Sequence, residues 1–131
     1  MHWVWQLEPK CQNCSGYRSK GAIIMEMNYY QEEAMTTRLP TAGLEYAWFG
    51  LAGEVGELYS LMAKLYRDGK GKRTDEEIIE DVKKELGDIL WFIAAISKDY
   101  KFTLEDVAQK NLDKLKKRKE DGKLQGSGDN R

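Results

Sequence analysis

Gly50-Leu51-Ala52-Gly53-Glu54-Val55-Gly56-Glu57 is answered further along the chain by Lys84-Glu85-Leu86-Gly87-Asp88-Ile89-Leu90-Trp91. Each stretch places two carboxylates three residues apart inside an otherwise apolar segment. Residues at that spacing are neighbours on one helix face, so Glu54 pairs with Glu57 and Glu85 with Asp88. Around the first pair, Leu44, Ala47, Trp48, Leu51, Val55, Leu58, Met62 and Leu65 recur at three and four. That stripe predicts a helix from about Ala42 to Arg67, stopped by Asp68-Gly69. Around the second, Ile78, Val82, Leu86, Ile89, Ile93 and Ile96 predict another, opened by Thr74 with Glu77 at the capping-box spacing. On an ideal wheel of about 100° per residue, each acidic pair lies on the shoulder of its stripe, the second member about 60° beyond the first.

Outward from these two helices the pattern stays helical. A first helix is expected from about Met27 to Arg38, closed by Pro40, with Tyr30 and Ala34 on its apolar side. A fourth is capped by Thr103, with Asp106 three residues on, and carries Leu104, Ala108, Leu112 and Leu115. Between the second and third lies a basic loop, Gly69-Lys70-Gly71-Lys72-Arg73, expected to be flexible. With two prolines in the chain and no alternating strand pattern bounded by turns, the fold class is all-α. The organisation expected is a poorly ordered N-terminal extension over 1–24, a helical domain over 25–120 and a glycine-rich tail over 121–131. The extension holds His2, the only histidine, and the Cys11-x-x-Cys14 pair. Half a zinc site is the sharper reading of that pair, but structural zinc wants four ligands and only His2 is in reach.

The totals narrow the function classes. One domain with a modest core fits 131 residues, and a net charge of -1 gives no general attraction to nucleic acid. No run approaches the roughly 18 apolar residues of a membrane span. Two cysteines near the start make no disulfide framework. A soluble, cytoplasmic protein with neither membrane nor nucleic-acid partner is the expectation.

Most helical glutamates are solvated surface, and that reading serves Glu32, Glu33, Glu76 and Glu77. It serves the quartet less well, because Glu54, Glu57, Glu85 and Asp88 border core stripes. Converging carboxylates raise one another's pKa unless a cation neutralises them. Gly53, Gly56 and Gly87 beside them cost about 1 kcal/mol each relative to alanine, and suggest close approach by a helix or ligand. A carboxylate di-iron bundle would need Glu-x-x-His on two helices, which this chain lacks. An all-oxygen donor set points instead to Mg²⁺, or Mn²⁺ as substitute. The cationic row Asn111, Lys114 and Arg118, with Lys64 on the second helix, reads either as solvated surface or as a grip on metal-bound phosphates. Trp48, Phe49, Trp91 and Phe92 read as core or subunit interface rather than base-stacking platforms.

The ordered set Glu54-x-x-Glu57, Lys64, Arg67-Asp68-Gly69, Glu85-x-x-Asp88 and Asn111-Leu112-Asp113-Lys114-Leu115-Lys116-Lys117-Arg118 resembles the MazG-like nucleotide pyrophosphohydrolases of the all-α NTP pyrophosphatase superfamily. The tail Gly126-Ser127-Gly128-Asp129-Asn130-Arg131 is similar to phage-type members. The resemblance covers about 27–131. It implies a four-to-five-helix bundle completed as a homodimer or homotetramer. It also implies Mg²⁺-dependent hydrolysis of (deoxy)nucleoside triphosphates to the monophosphate and pyrophosphate, as nucleotide-pool housekeeping. Carried onto this chain, Glu54, Glu57, Glu85 and Asp88 are the metal ligands and catalytic acids. Lys64, Asn111, Lys114 and Arg118 contact phosphate or sugar. Many members carry a further glutamate where this chain has Gly53. The rivals are a dUTP- or phosphoribosyl-ATP-directed activity with the same acids, and a non-catalytic nucleotide-binding helical module.

Overall fold

The structure, a computed structural model, describes residues 25–125. The expected extension with its Cys-x-x-Cys pair, and the last six residues of the tail, lie outside the described residues. Four helices follow in order: α1 (Met27–Thr36), α2 (Leu44–Asp68), α3 (Asp75–Asp99) and α4 (Leu104–Glu120). No strand occurs among the described residues, and the all-α class holds.

Helix boundaries follow from local chemistry. Glycine at φ 67° ends α2 at Gly69, where a side chain would be strained. Thr74 caps α3 in a full capping box: its hydroxyl accepts from the Glu77 amide at 3.2 Å, and its own amide donates to the Glu77 carboxylate at 2.8 Å. Thr103 and Asp106 repeat the box at α4. An ion pair stands at each end of the basic loop. Lys70 bonds Asp75 at 2.9 Å, and Arg73 pairs with Asp81.

α2 and α3 fold back on each other across that short loop, while α1 and α4 pack against α3 and against each other. Among the described residues, α3 is the helix whose backbone comes close to α2, with Met35 of α1 packed at the edge of their shared core. The core sits near the start of α2 and the end of α3: Ala47, Phe92, Ala95 and Ile96, flanked by Met35, Leu51 and Trp91. Gly50 is what lets the two helices close there. A Cβ on it would lie 2.1 Å from the Phe92 ring. Close approach thus falls at Gly50, one turn before the glycines expected to allow it. At Gly53, Gly56 and Gly87 a Cβ would meet nothing within 4 Å.

Polar ties dock α1. Buried Gln31 donates to the Phe102 carbonyl at 3.2 Å and accepts from the Leu104 amide at 3.0 Å. Arg38 forks onto Asp99 at 2.8 and 2.9 Å, and that bond holds its guanidinium above its ordinary pKa. The Trp91 indole N–H reaches the Ala34 carbonyl and the Thr37 hydroxyl.

The predicted stripes are buried only in part. Of the α2 stripe, Ala47 alone is fully buried, and Trp48, Val55 and Met62 are exposed. Leu86 on α3 and Leu112 and Leu115 on α4 are exposed as well. Phe92 is core as expected and Trp91 is half-buried, whereas Phe49 is 78% exposed. A helix pair with no third helix across it cannot cover both of its faces.

Candidate metal centre

The pairing of α2 with α3 decides which acids meet. Glu54, Glu57 and Glu85 bring ligand oxygens within 4.8 Å of one another. Glu54 and Glu85 are half-buried and Glu57 is exposed. Two facing helices therefore contribute to one point, as the shoulder positions of the acids predict. Asp88 stands outside this trio by that distance but is electrostatically coupled to it. Burial, reinforced by the like charges of Glu57, Asp88 and Glu85, raises the pKa of Glu54 above the usual carboxylate value. Among the described residues, none of the four carboxylates has an ion-pair partner.

Asp88 also raises the pKa of Tyr30 on α1, second to burial itself. Tyr30 therefore belongs to the surroundings of the centre. Reading α1 as an amphipathic helix assigns Tyr30 to the apolar side and misses this, because the neighbourhood depends on how α1 docks on α3.

The cationic row is placed differently. Lys64 lies on α2, seven residues beyond Glu57 on the same side, roughly 10 Å along the axis. Asn111 and Lys114 are exposed on α4, and Arg118 is buried there. Since α4 packs on α1 and α3 and not on α2, the chain brings the acids together but does not seat the α4 row on α2.

A donor set of carboxylates alone, crowded enough to disturb Glu54, suits a hard divalent cation. Such a cation would replace mutual repulsion with attraction, and a Cβ at Gly53, Gly56 or Gly87 would meet nothing within 4 Å among the described residues.

Residues 45–122, spanning nearly all of α2, all of α3 and α4, match the MazG nucleotide pyrophosphohydrolase domain. The chain is 40% identical over 115 residues to the gene 37 protein of Mycobacterium phage L5, across 82% of this chain and 100% of that one. No solved structure matches. Both acidic pairs lie inside the matched segment, and the chain belongs to the MazG nucleotide pyrophosphohydrolase domain family.

Proposed function

We propose that this protein hydrolyses (deoxy)nucleoside triphosphates to the monophosphate and pyrophosphate with Mg²⁺, Mn²⁺ being the alternative ion. The observation that carries the reading is the convergence of Glu54, Glu57 and Glu85 within 4.8 Å, in a chain of a nucleotide pyrophosphohydrolase family. Glu54, Glu57, Glu85 and Asp88 hold the cation. When bound, it supplies polarisation of the phosphates and relief of their charge. A carboxylate not fully used as a ligand, with exposed Glu57 the best placed, orients the attacking water and accepts its proton. Lys64, Asn111, Lys114 and Arg118 grip phosphate or sugar, charge-assisted contacts that favour a polyphosphate over a neutral ligand.

We also propose that the working form is a homodimer or homotetramer. Phe49 is 78% exposed, Tyr59 71% and Tyr66 85%, all on α2, whose closest helix neighbour among the described residues is α3. A second copy covering α2 would bury them.

The test is pyrophosphate release from a panel of ribo- and deoxynucleoside triphosphates, with and without Mg²⁺. Metal-dependent release from a few of them is expected, and Glu57→Ala or Asp88→Ala should abolish it in a folded protein. A folded protein that binds these nucleotides but releases no pyrophosphate from any would favour the non-catalytic module. Release confined to dUTP or to phosphoribosyl-ATP would select the narrower enzymes.

A further inference from the structure

Away from the acids, α1 and the α3–α4 connection border an open cleft of about 340 Å³, lined by Asn28, Gln31, Glu32, Lys98, Lys101, Phe102 and Thr103. Lys98 lies ten residues beyond Asp88 on α3 and thirteen beyond Glu85, roughly 15 and 20 Å along the axis. At about 100° per residue, Lys98 also faces some 140° away from Glu85 around that helix. The cleft is therefore separate from the metal centre.

Its floor is already bonded. Gln31 is spent on the Ala94 and Phe102 carbonyls and the Leu104 amide. Asn28 bonds Glu105 at 2.7 Å, and Thr103 caps α4. What remains available on the rim is Lys98, Lys101, Glu32 and the face of Phe102. Among the described residues, neither lysine nor Glu32 has an ion-pair partner.

The turn that carries these groups is unusual. α3 ends with the Lys101 amide on the Lys98 carbonyl and the Phe102 amide on the Ser97 carbonyl, both at 3.1 Å. That termination places its central residue in the left-handed region, where glycine is the easy choice. Here it is Lys101, at φ 63°, so a cation stands at a position that favours no side chain. The next residue, Phe102, is 40% exposed. Tyr100 backs it with the rings 6.3 Å apart and 24° from parallel. Trp48 meets Tyr100 edge-on at 6.4 Å. The three rings form a continuous run of aromatic contacts ending at Phe102.

We propose that this cleft is a second nucleotide site, which stacks the base of a nucleoside monophosphate on Phe102 and binds its phosphate with Lys98 and Lys101. Two cations beside an aromatic face suit a ligand that joins a planar ring to a phosphate. The volume suits one nucleotide rather than a strand. Glu32 repels phosphate from the α1 wall and accepts from an exocyclic amine on the base, favouring adenine, cytosine or guanine over uracil. Site and ligand stand independently of the hydrolytic reading.

The experiment is amide NMR of the full chain in EDTA, so that no divalent cation occupies the carboxylates. AMP, CMP, GMP and UMP are titrated, with ribose 5-phosphate and inorganic phosphate as baseless controls. Saturable shifts at the amides of Lys98 to Thr103 are expected with AMP, CMP or GMP, more weakly with UMP, and not with the controls. The Lys98→Ala/Lys101→Ala pair, and separately Phe102→Leu, should weaken binding about tenfold, with pyrophosphate release unchanged in Mg²⁺. No shift would overturn the site, as would equal shifts with inorganic phosphate, the mark of a merely basic patch. Shifts confined to the neighbourhood of Glu54 and Glu85 would also overturn it. So would shifts driven by protein dilution alone, which would assign this face to a second copy. Oligo(dT) binding better than any mononucleotide would replace the site with a single-strand track.

Discussion

Gly50 and Gly53 stand one turn apart on α2 and meet different surroundings. At Gly50 the Phe92 ring occupies the space of a Cβ, so Gly50→Ala must push the ring or part the helices. A loss of about 1–3 kcal/mol is expected, read by chemical denaturation. Gly53→Ala adds its methyl to open space within a helix and should instead gain about 0.5–1 kcal/mol. A loss at Gly53 of the size expected at Gly50 would mean that another surface lies against this face. Glu54 gives a prediction with a definite pH sign. Its folded-state pKa is raised, so its contribution to stability is present below the unfolded carboxylate value and is lost as pH rises through the folded one. In EDTA at neutral pH, Glu54→Gln should therefore melt above the parent, and near pH 4 the gap should close. Mg²⁺ should raise the melting temperature of the parent and raise that of Glu54→Gln less. Equal metal-induced shifts in both proteins would remove Glu54 from the ligand set. The acids were legible from spacing because three residues apart is a purely local relation. The Phe92 ring at Gly50 and the Asp88 charge near Tyr30 were not, because both depend on how separate helices dock.

The four helices show the same division one scale up. Capping at Thr74 and Thr103, the stop at Gly69 and the two long apolar periods are local signals, and the structure bears them out. How deeply each stripe is buried is not local. Leu112 and Leu115 continue the period of Leu104 and Ala108, yet they are 59% and 40% exposed, because no helix among the described residues covers that face of α4. Nor does periodicity reveal Gln31, a polar residue buried on α1 that ties this helix to the turn entering α4. Replacing it with leucine keeps the volume but strands the Leu104 amide and the Phe102 carbonyl. A cost of about 1–3 kcal/mol is expected for unmet buried groups. Hydrogen exchange should show the loss at α1 and at the start of α4, with the α2–α3 pair still protected. Uniform loss of protection would mean that the two parts do not open separately.

At the scale of the molecule, the exposed aromatic residues and the acids make one argument. α2 carries Glu54 and Glu57 on the side that α3 completes, and Phe49, Tyr59 and Tyr66 stand exposed along the same helix. A long helix packed against one partner is poorly supported in isolation, since tertiary burial supplies most helix stability. If a second copy lies over α2, assembly and the carboxylate geometry rise and fall together. Light scattering should then give a mass that is a multiple of 15.1 kDa. The Tyr59→Glu/Tyr66→Glu pair places charge in that interface without touching any acid, and should shift the protein to monomer. The same change should lower the melting temperature and cost pyrophosphate release, with helical signal retained at low temperature. A parent protein that is a stable 15.1 kDa monomer with full activity would show that one chain suffices. The exposed aromatic residues would then be surface, and the acids on α2 and α3 would form the whole centre without a second copy.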